Sequence, residues 1–405
     1  MNISYFISKR INKSSQSTFS SIINKIAIAS IAIGLAVMLV SFLILGGFQR
    51  TIKEKIFSFG AHLQVTKYTL GNQFEEQPVS KNSDFYQNYH EFDFIEHVQQ
   101  FSHKPGLLKT DEDVWGVLLK GVGKDFNVKA FQNNIIEGSF IHLPDSGYSR
   151  EILISQRIAN LLRLKVDDDV IMYFVQDPPR YRKLTIKGIY KTDLEDFDET
   201  IIIGDIGLIQ RLNNWDEDVV GGFEIFIKNY RRMDAAEEKL MEEIDYDLYV
   251  EKVSDKYIQI FEWLSLLNRN VVIFLTLILF VACFNMISIL LILIMERTQM
   301  IGMLKALGAT NGQVRNIFVY DGMQLIFKGL LWGNLLALAF GFLQDRFKII
   351  PLDPENYYMD FVPIEWNWPV LVLLNILVFI IVSLILMVPT MIISKINPIT
   401  AIKFD

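Results

Sequence analysis

A chain of 405 residues with 51% hydrophobic content, 21% charged residues and a formal net charge of −7, at positive mean hydropathy, excludes both a purely soluble protein and a bundle of membrane spans alone. The composition asks for a membrane part and a polar domain in one molecule. No nucleic acid is expected among its partners.

In chain order, Met1–Ser21 places Ile3, Phe6, Ile7 and Ile11 on one helical face and Lys9, Arg10 and Lys13 on the other. That is the pattern of a helix lying on a membrane surface; a disordered basic leader is the alternative. Ile26–Leu45 is an uncharged run long enough to span. It exceeds a signal-peptide core and lacks a small-residue cleavage site, so it reads as a retained anchor. Within it, Ser30 and Gly34, and Ala32 and Ala36, are small residues four apart, which lets helices approach closely in lipid. Beyond it, Phe48, Ile52 and Ile56 continue a helical stripe opposite Lys53, Glu54 and Lys55, so the span extends outward as a stalk.

About 220 residues of mixed polar sequence follow, between Gly46 and Arg269. Strand-like runs at Leu63–Thr66, Val114–Leu119, Glu151–Ile154, Val170–Val175, Leu184–Tyr190, Thr200–Ile203 and Gly222–Ile227, with helices at Gln156–Leu162 and Met233–Ile244, predict a large α+β extracytoplasmic domain. His62, His90, His97, His103 and His142 show no paired ligand spacing, so no metal site is expected. The acidic clusters Asp111–Asp113, Asp167–Asp169 and Asp193–Glu199 do not fit a calcium loop and read as solvated turns. The single cysteine, Cys283, falls in a span, so no disulfide holds the domain.

Tyr257, Phe261, Leu264 and Leu267 recur at helical spacing and lead without a breaker into the span Val271–Met295. A second stalk is therefore expected. The chain then turns at once to charged residues, but Met300, Ile301, Leu304 and Leu307 keep helical spacing and Gly308 stands as a stop. This predicts a short amphipathic helix against the membrane with its other face free for a partner. Leu325–Leu343 is a third span, with Lys328 near its start placed to snorkel and a Gly329, Gly333 pair for close helix contact. Val370–Val388 is a fourth, kinked or ended by Pro389. Asn285, Asn334 and Asn375 are expected to face other helices, and the tail Asn397–Asp405 is too short for a domain.

The predicted organisation is an N-terminal helix at 1–21, spans at 22–48, 269–295, 323–343 and 369–393, a domain with stalks at 49–268, a coupling loop at 296–322, an outer loop at 344–368 and a tail at 394–405. Lys9, Arg10, Lys13, Lys25, Arg297, Lys305, Arg315, Lys395 and Lys403 share one side, against an acidic outer loop. The positive-inside rule then puts both termini in the cytoplasm, although Arg50, Lys53 and Lys55 narrow the margin. There is no G-x-S-x-G elbow, no H-E-x-x-H helix and no complete phosphate loop around Gly123–Lys124, so the chain is not expected to be an enzyme or to hydrolyse ATP alone.

One span, a domain of about 220 residues, three further spans and the segment MERTQMIGMLKALGATNGQVRNIF together resemble the permeases of type VII ABC transporters, the MacB/FtsX-like superfamily. The FtsX-like part would be 271–400. Three more stretches are similar to its lipoprotein-releasing branch, the LolC and LolE permeases: FSSIINKIAIASIAIGLAVMLVSFLILGGFQRTI, EILISQRIANLLRLKVDDDVIMYF and PLDPENYYMDFVPIEWNW.

The resemblance implies a bacterial inner-membrane subunit with a MacB-like periplasmic core domain and no cofactor of its own. ATP and Mg would be bound by a LolD-like ATPase, and a second permease copy or paralogue would complete the assembly. It places ATPase contact in Arg297, Met300, Ile301, Lys305, Leu307 and Gly308, unless this helix packs only on its own spans. Lipoprotein acyl chains among the membrane lipids would meet Val40, Leu43, Phe48, Ile260, Phe261 and Leu264, which are also the residues a stalk core would use. A LolA-like carrier would meet Pro178, Pro179, Arg180 and Arg182, in what is otherwise an ordinary hairpin turn. The alternatives are a MacB-like efflux permease, marked by a polar bore through the domain, and an FtsX-like activator of a cell-wall hydrolase.

Overall fold

The computed structural model describes residues 18–68, 76–110 and 113–395; the expected surface helix before residue 18 and the tail beyond 395 lie outside them. The chain divides into two compact units. One is drawn from the described residues of Met1–Arg50, Trp263–Pro351 and Phe361–Asp405, the other from those of Thr51–Glu262 and Leu352–Asp360.

Among the described residues, four helices are apolar and long enough to cross a bilayer, Thr18–Gly60, Ile258–Glu296, Asn311–Phe347 and Trp368–Ile385, with Thr51–Gly60 and Ile258–Glu262 counted in the second unit. The first two are unbroken well beyond bilayer length, because no Pro or positive-φ residue interrupts Phe48–Gly60 or Ile258–Val271. The fourth ends at Ile385, the residue whose carbonyl the ring of Pro389 would meet in a continued helix. Leu35, Leu39, Leu43, Met286, Leu290, Leu325, Ile326 and Val382 form the core, while Phe274, Phe280, Phe327 and Leu373 are more than half exposed.

Hydrophobicity does not pull helices together in lipid, so close contacts and polar pairs must do so. A side chain at Gly333 would stand 2.8 Å from the Ala32 carbonyl, and one at Gly329 2.6 Å from Ile31. The third helix therefore rests directly on the backbone of the first. Asn334 and Asn375 exchange side-chain hydrogen bonds at 2.7 and 3.0 Å, and Asn285 donates to Ser30 Oγ at 2.9 Å. All three expected amides face other helices.

The second unit is built on a ten-stranded sheet: β1 (Leu63–Lys67), β3 (Ile95–Lys109), β4 (Val114–Val122), β5 (Ile135–Gly138), β6 (Glu151–Ser155), β7 (Asp169–Phe174), β8 (Arg180–Tyr190), β9 (Ile201–Asp205), β11 (Gly222–Ile227) and β12 (Leu248–Lys252). Between them, β2 (Val79–Ser80) and β10 (Val219–Val220) form a separate pair. The order is β12-β1-β11-β3-β4-β9-β6-β8-β5, and β7 joins β8 back to β3. The pairings β3-β4-β9-β6-β8-β7 thus close on themselves as a small barrel. Val117 and Leu119, Ile152 and Ile154, Val170, Met172 and Phe174, and Leu184 and Ile186 alternate into its core.

The long β3 serves both halves. Its first part pairs with β11 in the open sheet and its second part with β4 and β7 in the barrel. On the open sheet, Gln64, Glu224 and Gln99 occupy one rung across β1, β11 and β3. Glu224 is fully buried. It accepts from Gln99 at 2.7 Å, from Gln64 at 3.2 Å and from Lys120 Nζ at 2.6 Å, and Lys120 also donates to the Phe59 carbonyl near the end of the first helix. Such a pair is tolerable inside only because every oxygen is hydrogen-bonded. Nearby, burial pulls His62 down to about 4, so its neutral Nδ1 accepts the Ile227 N–H at 3.1 Å.

Candidate functional site

The short helix Thr298–Ala306 follows the second span after a one-residue break at Arg297. It ends as its sequence demands. Gly308 takes φ +93°, and the N–H groups of Gly308 and Ala309 bond the carbonyls of Lys305 and Leu304. Thr310 and Gln313 then form a capping box that starts the third long helix.

One face of this short helix is anchored. Ile301 is fully buried with Ile294, Val314, Phe318 and Ile393, and Met300 and Leu304 pack beside it. Lys305 Nζ donates to the Ile393 carbonyl at 2.7 Å. The opposite edge carries Gln299, Met303, Ala306 and Leu307, all exposed, with Met303 61% and Leu307 80% accessible. Of the six residues expected to meet an ATPase, Leu307 and Gly308 therefore present themselves. Arg297 and Met300 are half-buried, while Ile301 and Lys305 are committed to the protein itself. Met303 was not among the six. Its signal lay in the spacing of Gln299, Met303 and Leu307, which opposes Ile301.

Of the six expected lipid contacts, Leu43 and Leu264 are core residues at 1% and 2% exposure, and Val40, Phe48, Ile260 and Phe261 are half-buried. In the membrane unit, Phe48 meets Trp263 edge to face at 5.5 Å and Gln49 donates to the Leu264 carbonyl at 3.0 Å. In the inserted domain, Phe57 lies 6.1 Å from Phe261. The outward extensions of the first two helices are thus zipped together, and the stalk-core reading describes this state. Trp263 and Gln49 carry the closure, which apolar periodicity does not reveal.

The turn expected to meet a carrier is the five-residue link Val175–Pro179 between β7 and β8, whose pairing runs to Phe174 and Arg180. Pro178 and Pro179 are exposed. Arg180 instead caps the helix Ile206–Asn213, donating to Leu212 O at 2.9 Å and to Asn214 Oδ1 at 3.3 Å. Arg182 is half-buried and donates to the Tyr181 carbonyl at 2.8 Å. Tyr173 and Tyr181 are exposed and pair across the hairpin at 5.8 Å. Among the described residues no group of three His, Cys, Asp or Glu converges to hold a metal ion.

Among the described residues, four apolar helices and a large α+β domain inserted between the first and second define a multi-pass membrane protein. A family model for the MacB-like periplasmic core domain matches residues 26–243, and one for the FtsX-like permease C-terminal region matches 272–398. The first alone spans over half of the chain, so this chain belongs to the MacB/FtsX-like family of ABC transporter permeases. The lipoprotein-releasing system transmembrane protein LolE of Haemophilus influenzae is 23% identical over 393 residues, covering 91% of each chain. LolC of Neisseria meningitidis serogroup B is 22% identical over 85% of each, and LolC of Xylella fastidiosa 20% identical over 96% of this chain and 95% of its own.

Proposed function

We propose that this chain is the permease subunit of a machine that releases lipoproteins from the outer leaflet of the bacterial inner membrane toward a periplasmic carrier. The observation that carries the reading is the similarity to LolE and LolC over 85–96% of this chain, which is more than either the membrane helices or the inserted domain alone. A separate LolD-like ATPase binds ATP and Mg and hydrolyses the nucleotide. Both termini face the cytoplasm, which puts Thr298–Ala306 on the ATPase side and the inserted domain in the periplasm.

On this reading Met303 and Leu307 enter a pocket of the ATPase, while Ile301 and Lys305 transmit the push because they are locked to the third helix and to the turn just past the fourth. Acyl chains are recognised by apolar surface alone. Entry between the first two helices requires parting Phe48 from Trp263 and Gln49 from Leu264. The aromatic pair and the hydrogen bond are each worth about 1 kcal/mol, so at this outer part of the seam little opposes its opening. A second permease, identical or related, supplies the other half of the path. The carrier meets Pro178, Pro179 and Tyr181, and Arg180 supports them from beneath.

The test is depletion in the native host. Mature acylated lipoproteins should accumulate in the inner membrane; normal sorting would contradict lipoprotein release and leave an ATPase-coupled permease with a different cargo.

A further inference from the structure

The loop between the third and fourth long helices grips the first helix in two places, each inside one compact unit. In the membrane unit, Glu365 N–H donates to the Leu43 carbonyl at 3.0 Å, and a side chain at Gly47 would stand 2.6 Å from the Pro363 carbonyl. Only glycine admits the crossing there. The two ends of the loop are pinned together beside it: Gln344, near the end of the third helix, donates to the Val362 carbonyl at 2.9 Å and accepts the Ile350 N–H at 3.0 Å.

In the second unit, the same helix presents Lys55, whose Nζ donates to the Tyr358 carbonyl at 2.9 Å and to Asp193 Oδ2 at 2.6 Å. Asp193, with a side chain only 9% exposed, also takes Lys191 at 2.6 Å, and Lys191 lies 3.7 Å from Asp360. Tyr358 and Asp193 both sit in the left-handed region at φ +60°, a conformation that persists only when surrounding contacts hold it. Met359, between the two gripping residues of the loop, is 4% exposed and anchors it.

We propose that Lys55 and Asp193 are positioning residues, and that Leu352–Asp360 is a strap through which the third and fourth helices act on the first. This deepens the lipoprotein-release reading and rests on it. The short helix Thr298–Ala306 is tied by Lys305 to Ile393 just past the fourth helix and leads through its capped turn into the third. A displacement there reaches both roots of the strap. The strap then bears on the first helix through a half-buried, charge-assisted bond, which resists being pulled open.

The experiment uses the full-length chain with its ATPase in nanodiscs, comparing Lys55→Met, Asp193→Asn and Lys55→Arg by hydrogen exchange, ATP hydrolysis and release of a labelled lipoprotein. Lys55→Met and the isosteric Asp193→Asn should speed exchange at Leu352–Asp360 at least about tenfold. They should lower release at least about tenfold while hydrolysis stays within about twofold. Lys55→Arg, which keeps the donors, should restore both exchange and release. Unchanged exchange in both variants would overturn the grip, and faster exchange with undiminished release would overturn the transmission. If the unaltered chain releases no lipoprotein, the functional reading fails by itself, while the exchange arm still decides whether Lys55 and Asp193 hold the strap.

Discussion

In the membrane unit the polar contacts between helices are neutral amides, and glycines let the backbones close on a leucine-rich core, whereas the open sheet of the inserted domain buries a carboxylate against an ammonium. Phe274, Phe280 and Phe327 turn outward in the first, while Ile152, Met172 and Ile186 turn inward in the second. The solvent explains the difference. Where lipid surrounds the helices, apolar groups gain nothing by meeting, and backbone approach at Gly329 and Gly333 sets the packing. Where water surrounds the sheet, apolar burial supplies enough free energy to carry Glu224 and Lys120 inside, provided that they stay paired.

The sharpest way to break this contrast is to remove one half of the buried pair. Glu224→Ala leaves Lys120 without its carboxylate and should destabilise the inserted domain by about 3–5 kcal/mol, read as a lowered unfolding midpoint of the full-length chain; a Lys120→Met, Glu224→Leu double variant should recover most of the loss. In the membrane unit the counterpart is Gly333→Val. Its added atoms meet the Ala32 carbonyl and Leu35, and overpacking of about 1–3 kcal/mol should appear as a reduced folded yield in detergent. Met303→Asp with Leu307→Asp alters no buried contact, so folding should be unchanged while the ATPase recovered with the purified permease falls at least about tenfold. The smallest effect belongs to Asn334→Leu, which removes an amide pair worth about 0.6 kcal/mol in lipid and should shift the unfolding midpoint only slightly.

The same physics decides what could be read in advance. Long apolar runs, charged only at Lys328, revealed all four spans, because nothing else in a chain looks like them. The short apolar runs Glu151–Ser155 and Gly222–Ile227, buried almost throughout, and the periodic helix Gln156–Leu162 announced themselves. The longest strand, Ile95–Lys109, did not. Gln99, Ser102 and Lys104 are polar residues that are buried, and Pro105–Gly106 imitates a turn within the half of the strand that belongs to the barrel. The same blind spot covers the candidate site. Apolar spacing located Thr298–Ala306 but could not tell its anchored face from its free one, which depends on Ile393 arriving from about ninety residues away in the chain. Lys55 and Asp193 looked like ordinary solvated charges, and only the tertiary structure brings them under Tyr358. The sequence places Arg180 at the turn expected to meet a carrier, and only the tertiary structure shows its guanidinium capping the helix Ile206–Asn213.

The most direct test of the account is release in a defined system: the permease and its ATPase in nanodiscs loaded with a labelled triacylated lipoprotein, with the soluble carrier outside. The account predicts ATP-dependent transfer of label to the carrier, abolished by Met303→Asp with Leu307→Asp. Label that stays in the disc while ATP is hydrolysed at a normal rate would contradict it.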